Sequence, residues 1–363
     1  ASYTLVAVQD GQFNSLAVSG AASYDESTNT YAYTAQKSLK NYTNLEDEKL
    51  TSTGSVFAFN LADGASIFGA DITNESGVVL AATANAEKVI IQSSKISSPN
   101  TSNSHAINIS ATGVKDYIVT NNYLDANTYG VLTNTTGSID GLVVSGNIMN
   151  IVQGDGVEIN NPARLVHDNM AITGNVIKIT GTSGGSNAGF AVGVAAGKNI
   201  AVVGNSATGP NGEAYHFEDD QHTNTLVGNT ATECKEEGVW SGKFSDGAGE
   251  GFPVVGNSLR AATGSTATGL LTVFDANGSI EGMTYVGNRV YGFNKGAEYG
   301  KEITMSYANS IDSCNYGIWG AGRGDIHGVS LMKDCPVAVH TSEGCMVGGF
   351  VTDEDPTTLL ETA

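Results

Sequence analysis

Short apolar runs with the alternation of β-strands recur along the chain, and many of them end in the dipeptide Gly-Asn. The asparagines of these repeats are Asn147, Asn175, Asn205, Asn229, Asn257 and Asn288. They are 28, 30, 24, 28 and 31 residues apart, and no helical period lies between them. A repeat of this length made of strands and turns is typical of a solenoid. The pattern predicts an all-β fold, a right-handed single-stranded parallel β-helix of about eleven rungs.

The same repeat predicts three parts of the chain. Residues 1–53 alternate without a rung period and are expected to form an N-terminal cap or leading β element. A solenoid needs such a cap because its last rung is otherwise an open sheet edge. Residues 54–300 are expected to form the main β-helix, and residues 301–363 to add shorter rungs and a tail.

The Gly-Asn dipeptides have a structural interpretation. Glycine and asparagine tolerate the left-handed backbone region that a sharp corner between strands requires. Asparagines stacked at successive corners can also hydrogen-bond to one another along the solenoid. We therefore expect an asparagine ladder, with a structural role and no part in catalysis.

A second strand in each rung alternates apolar and polar residues, which predicts a column of side chains facing outward. The strand GDGVEIN, for example, places Glu158 between two inward residues. Aligning the rungs predicts this column: Val79, Asn108, Leu132, Glu158, Ala191, His216, Trp240 and Trp319. A slip of one residue would turn the column inside out.

Composition and charge limit the kinds of molecule that the protein is expected to bind. The net charge of −20 excludes nucleic acid or an acidic membrane surface as a favoured partner and fits an extracellular protein. No apolar run is long enough to predict membrane insertion. The four cysteines, Cys234, Cys314, Cys335 and Cys345, lack the spacing of a zinc site and are expected to be buried thiols.

The predicted column concentrates groups able to hydrolyse a glycosidic bond, which requires two carboxylic groups. Glu158 is the first candidate, and its catalytic partner is expected to be Asp219 or Glu218, two rungs further on. Two rungs correspond to ~9.6 Å along the axis. Side chains that lean toward each other would then reach the separation of an inverting enzyme.

Other groups of the same region are expected to bind substrate. They are Asp155, His216, Trp240 and Asp220, with the indole suited to stacking on a sugar ring. Each also has a plain structural interpretation, as a solvated side chain, a turn residue or an anchor at a subunit interface. The segment HFEDD has oxygen ligands that suit Ca²⁺, but without the spacing of a calcium loop it predicts no metal site, and no cofactor is expected.

Several segments together resemble the endoglycosidase tailspike proteins of tailed bacteriophages. They are GDGVEIN at 154–160, AGFAVGVA at 188–195, KNIAVVGN at 198–205 and AYHFED at 214–219. In that family a segment of the first type carries a catalytic glutamate, which corresponds to Glu158. The resemblance implies a homotrimeric protein of the virion tail, or a secreted one, that binds and cleaves a bacterial capsule or O-antigen.

The chain departs from this family in two respects. The rung after Glu158 lacks the aspartates that complete the acid pair in the best-known pattern. The partner then comes from Glu218, Asp219, Asp220 or a neighbouring subunit. The head-binding domain that usually precedes the β-helix is also absent, which fits an excised fragment.

Three other functions fit the predicted fold. A polysaccharide lyase would use His216, Tyr215 or Lys198 to remove a proton next to a uronate carboxylate. A non-catalytic receptor-binding fibre protein would bind glycans without shortening them. A fructotransferase-like enzyme would release cyclic products.

Overall fold

The computed structural model is built of β-strands and divides into two compact units, Ala1–Gly181 and Thr182–Ala363. Before residue 51 only the backbone of the strands is described. The residues that the structure describes are 2–9, 12–19, 22–25, 30–33, 38–39, 49–52, 57–75, 77–99, 104–161, 163, 167–181, 189–242, 249–273, 280, 282–299, 305–320, 326–328, 330–341, 346–347, 350–352 and 358–362.

The first unit begins with short antiparallel pairs and continues as a stack of parallel strands. Its strands are β1 (Ser2–Gln9), β2 (Gln12–Ser19), β3 (Ala22–Asp25), β4 (Thr30–Tyr33), β5 (Ser38–Leu39), β6 (Lys49–Ser52), β7 (Phe59–Leu61), β8 (Ser66–Phe68), β9 (Asp71–Asn74), β10 (Leu80–Ala82), β11 (Ile90–Gln92), β12 (Lys95–Ser98), β13 (His105–Asn108), β14 (Lys115–Thr120), β15 (Tyr123–Ala126), β16 (Tyr129–Asn134), β17 (Asp140–Ser145), β18 (Ile148–Ile151), β19 (Val157–Asn160), β20 (His167–Thr173) and β21 (Val176–Ile179). The pairs β1–β2 and β3–β4 are antiparallel.

From β7 onward each turn of the first unit has three strands, and each strand pairs in parallel with its counterpart in the next turn. The first sheet is β7, β10, β13, β16 and β19. The second is β8, β11, β14, β17 and β20. The third is β9, β12, β15, β18 and β21.

The second unit repeats this arrangement. Its strands are β22 (Val192–Val203), β23 (Ser206–Thr208), β24 (Tyr215–His222), β25 (Thr225–Val227), β26 (Thr230–Cys234), β27 (Val239–Gly242), β28 (Pro253–Val255), β29 (Ser258–Ala261), β30 (Thr268–Thr272), β31 (Thr284–Val286), β32 (Arg289–Tyr291), β33 (Lys295–Tyr299), β34 (Met305–Tyr307), β35 (Ser310–Asp312), β36 (Tyr316–Gly320), β37 (Ile326–His327), β38 (Ser330–Lys333), β39 (Val337–Thr341), β40 (Met346–Val347), β41 (Phe350–Thr352) and β42 (Thr358–Thr362). The long strand β22 belongs to two sheets, since its first half pairs with β24 and its second half with β25. The predicted all-β class and parallel β-helix are confirmed, whereas the predicted boundaries at residues 53 and 300 stay predictions.

The corners between strands have the backbone conformation that the Gly-Asn dipeptide favours. The glycines that precede ladder asparagines have a positive φ, as in Gly146 at 64° and Gly256 at 65°, and Ala308 before Asn309 has a φ of 55°. Asn121, at φ 56°, takes this position in the corner before Asn122. The left-handed backbone region costs more free energy for residues other than glycine and asparagine, because their Cβ approaches the carbonyl oxygen.

The predicted asparagine ladder is present in both units. In the first unit Nδ2 of Asn122 donates to Oδ1 of Asn147 at 3.0 Å, and Asn147 donates in the same way to Asn175. In the second unit the chain of such bonds runs through Asn205, Asn229, Asn257, Asn288 and Asn309. These side chains are buried, so each bond satisfies a polar group that would otherwise be costly to keep from water.

The observed register corrects two positions of the predicted column. In the first unit Asn108 pairs with Ala81, while Val79 is fully buried. In the second unit His216 pairs with Gly193, while Ala191 is fully buried. Both errors are shifts of two residues along the strand, which keep the predicted side of the strand and change only which residue is the neighbour in the next turn.

Candidate active site

Glu158 lies in the first unit and faces outward, as predicted. Its neighbours on β19, Val157 and Ile159, are fully buried, and Glu158 itself is half-buried. Burial, then the charges of Asp155 and Glu158, raise the pKa of Tyr129. The Tyr129 hydroxyl is therefore protonated and able to donate a hydrogen bond beside two carboxylates.

The other predicted site residues lie in the second unit. The catalytic pairing of Glu158 with Glu218 or Asp219 joins residues of two units, and it stays a prediction. Asp155 accompanies Glu158 in the first unit and is 1% exposed. The side chain of Asp220 lies outside the described residues.

Successive side chains of strand β24 point to opposite sides of the sheet. Tyr215, Phe217 and Asp219 are fully buried, while His216 and Glu218 lie on the opposite side of the strand. Asp219 has a φ of 61° and lies where the pairing of β22 with β24 shifts register. Asp219 is therefore shielded from solvent in this structure, and its predicted catalytic role stays a prediction.

His216 is the centre of a three-ring stack. Its imidazole lies 4.3 Å from the ring of Phe190 on one side and 4.3 Å from the ring of Trp240 on the other, with interplanar angles of 9° and 4°. Gly193, the register partner of His216, makes room for Phe190, since a Cβ there would approach the Phe190 ring to 2.8 Å. The stack fixes the orientation of an imidazole that is only 6% exposed.

Two carboxylates contact the ring nitrogens of this imidazole. Nε2 of His216 lies 3.2 Å from Oε2 of Glu218, and Nδ1 lies 3.7 Å from Oε2 of Glu213. Burial alone lowers the pKa of His216, but the charges of Glu213 and Glu218 and the hydrogen bond with Glu218 outweigh it and raise the pKa to about 9. His216 is thus an imidazolium at neutral pH. We call Phe190, Glu213, His216, Glu218 and Trp240 the His216 cluster.

This arrangement corrects three expectations. A protonated His216 is not a general base at neutral pH, and the core hydroxyl of Tyr215 donates to the carbonyl of Thr230 at 3.0 Å. Neither residue therefore fits the role of a lyase base. Trp240 is 7% exposed, with one face on His216, so it does not offer the open ring face expected for a sugar.

A second carboxylate pair emerges from the register and was missed by the sequence analysis. Tyr215 pairs with Val239, so Glu213 and Glu237, each two residues earlier, occupy equivalent places in successive turns. The amide of Ala214 donates to the carbonyl of Glu237 at 2.8 Å, which continues this register. Both side chains are half-buried. The sequence did contain a signal for this pair, since a glutamate lies two residues before the start of both strands.

The two carboxyl groups of this pair have opposite pKa shifts. Burial raises the pKa of Glu213, but the ion pair with His216 outweighs it, so the pKa is lowered overall. Burial, followed by the charges of Glu213 and Glu236, raises the pKa of Glu237 to about 7. At neutral pH one group is ionised and the other is substantially protonated. Such a pair is suited to acid–base chemistry.

A second aromatic group lies further along the stack of strands β24, β27, β30, β33 and β36. Trp319, half-buried, stacks on His340 with ring centroids 3.6 Å apart, and Tyr316 meets its edge. Lys295 lies over the indole with Nζ 4.3 Å from the ring centroid and forms an ion pair of 2.8 Å with Glu298. These contacts explain Trp319 as part of the packed surface of the sheet.

Within the described part of the chain, no three His, Cys, Asp or Glu side chains are grouped to hold a metal ion. No helix long and apolar enough to cross a bilayer is found among those residues.

The chain matches no protein-family profile, and no curated protein matches it. Among solved structures it is similar to the catalytic unit of a thermostable GH87 alpha-1,3-glucanase from Streptomyces thermodiastaticus strain HF3-3, with a TM-score of 0.37 and 12% identity. The similarity covers 92% of this chain and 60% of that chain. The resemblance to phage tailspikes stays a prediction from the sequence, as do the homotrimer and the location in a virion tail.

Proposed function

We propose that the second unit carries the active site of a glycoside hydrolase that acts on a polysaccharide. The observation that supports this most is the pair Glu213 and Glu237, on successive turns and in register, with pKa values shifted in opposite directions. Glycoside hydrolysis requires one carboxylic acid and one carboxylate on the same face. Glu237 is the acid, and Glu213 is the carboxylate.

The spacing of the pair favours a retaining reaction. Neighbouring strands lie ~4.8 Å apart, close to the ~5–5.5 Å between the carboxyl groups of retaining enzymes. Glu237 protonates the glycosidic oxygen while Glu213 attacks the anomeric carbon, which breaks the glycosidic bond and forms a glycosyl ester. Water, deprotonated by Glu237, then cleaves this ester and restores both groups.

His216 is a positioning residue in this reaction. Its positive charge keeps Glu213 ionised, and the rings of Phe190 and Trp240 hold the imidazole in place. Glu218 forms an ion pair with the other ring nitrogen of His216, Nε2. The negative charge of Glu213 in turn raises the pKa of Glu237, so the cluster maintains both protonation states.

The substrate is proposed to be a bacterial capsule or O-antigen, in line with the tailspike resemblance. The test is incubation of the protein with a panel of such polymers, followed by measurement of polymer size and reducing ends. Glu237→Gln and Glu213→Gln are each expected to lose cleavage by ~10² or more while retaining the fold, since both roles require a titratable carboxyl group. An α- or β-anomer assignment of the first product by NMR tests retention.

Glu158→Gln is the matched control, because Glu158 is also half-buried and faces outward on the first sheet of its unit. Our proposal expects it to keep cleavage. Loss of cleavage in Glu158→Gln alone would transfer the site to the first unit. Binding of a polymer without any shortening by the wild-type protein would overturn hydrolysis in favour of a receptor-binding function.

A further inference from the structure

Two cysteines occupy equivalent places in successive turns of the second unit. Ile311 pairs with Met332 and Asp312 with Lys333, and in each turn the cysteine follows two residues after the last of these pairs. The intervening corner residues, Ser313 and Asp334, have φ values of 56° and 50°. The two corners therefore have the same backbone form, and Cys314 and Cys335 are stacked.

Stacking of this kind suits a disulfide. Neighbouring strands are ~4.8 Å apart, within the ~4.4–6.8 Å between Cα atoms that disulfides span. The two thiols also lie close enough to interact, and this interaction raises the pKa of Cys314 and lowers that of Cys335. Both are free thiols, 1% and 7% exposed.

We propose that Cys314 and Cys335 are a site of oxidative modification, closing to a disulfide that joins two successive turns when a small disulfide such as oxidised glutathione is present. Cys335 is the more exposed of the two and begins the reaction. Its thiolate attacks one sulfur of glutathione disulfide, that S–S bond breaks, and one glutathione leaves as a thiolate.

Cys314 completes the exchange. Its thiol gives its proton to the departed glutathione thiolate, and its sulfur attacks Cys335 in the mixed disulfide. The second glutathione leaves and takes a proton from solvent. Two protein thiols are oxidised by two electrons, and one glutathione disulfide is reduced to two thiols. The inference does not depend on the proposed hydrolase function.

Cys234 supplies a matched control within the same unit. It is fully buried and, like the other two, follows a corner residue of positive φ, Glu233 at 58°. Its register partner is Ala261, which carries no thiol. Cys234 is therefore expected to remain reduced under the same conditions.

The experiment treats the folded full chain with oxidised glutathione and maps the peptides without reduction. A Cys345→Ser background removes the fourth cysteine as a partner. Cleavage after Lys333 separates Cys314 from Cys335 unless a disulfide joins the two peptides. We expect the joined pair, loss of two thiols, and a higher midpoint of thermal unfolding in the oxidised protein.

Variants make the assignment specific. In Cys314→Ser the mixed glutathione disulfide should persist on Cys335, since no thiol remains to resolve it, and the thermal midpoint should not rise. Cys234→Ser should behave like the parent protein. Absence of the joined peptides in the parent, or formation of a disulfide that includes Cys234, would overturn the proposal.

Discussion

The charge of His216 offers a direct test of how the His216 cluster is built. The perturbation is pH, compared between the wild-type protein and His216→Gln. In the folded protein the carboxylates of Glu213 and Glu218 raise the pKa of His216 to about 9. In the unfolded chain the imidazole returns to its ordinary pKa of about 6.5.

The sign and the size of the effect follow from linkage. A histidine whose pKa is higher when folded contributes stability that is fully present below pH ~6.5 and is lost as pH rises through about 9. Each pKa unit corresponds to about 1.4 kcal/mol, so the protonated state adds at most about 3 kcal/mol. The ion pairs with Glu213 and Glu218 are the source of this energy and are not counted again.

NMR titration of the imidazole resonances measures the pKa itself. The sequence holds 6 histidines, and the resonance missing from His216→Gln assigns the signal. Chemical unfolding at several pH values then measures stability. The difference between wild type and variant should be largest near pH 6 and shrink by about 3 kcal/mol toward pH 10, because titrating groups that do not interact with His216 cancel in the difference.

Two results would contradict this account. One is a His216 resonance that titrates at or below pH 6.5, which would mean that burial outweighs the two carboxylates. The other is a stability difference between wild type and variant that is independent of pH. Either result would remove the basis for an ionised Glu213.

Three further outcomes are expected. The rate of cleavage should decline as pH rises through about 7, because Glu237 then loses its proton. A pH–rate profile of the wild type measures this, and a flat profile would contradict the role of Glu237 as the acid. Asn257→Ala should lower the free energy of unfolding by about 1–3 kcal/mol in urea, because ladder partners lose buried hydrogen bonds; no change would contradict the ladder's role. Gly256→Ala should lower the free energy of unfolding by about 1–2 kcal/mol, and Gly256→Asn should lower it clearly less, since asparagine tolerates positive φ. Equal losses in the two variants would contradict backbone strain as the cause.

Much of the fold was predictable because its determinants are local. Alternation of apolar residues selects strands, and the Gly-Asn corner needs only a glycine that adopts positive φ and an amide that bonds to its counterpart in the next turn. The outward position of Glu158 followed from its two apolar neighbours. At Val79 and Ala191 the alignment was displaced by two residues, because alternation fixes the side of a strand but not its register with the next turn.

The sequence by itself determined the parallel β-helix, its corners and the side of the strand on which His216 lies. Only the tertiary structure decided which groups meet: Phe190 reaches His216 across Gly193, and Glu213 lies in register with Glu237 one turn away. The reason is physical. Side-chain direction depends on neighbouring residues, whereas protonation depends on burial and on charges brought close from other turns.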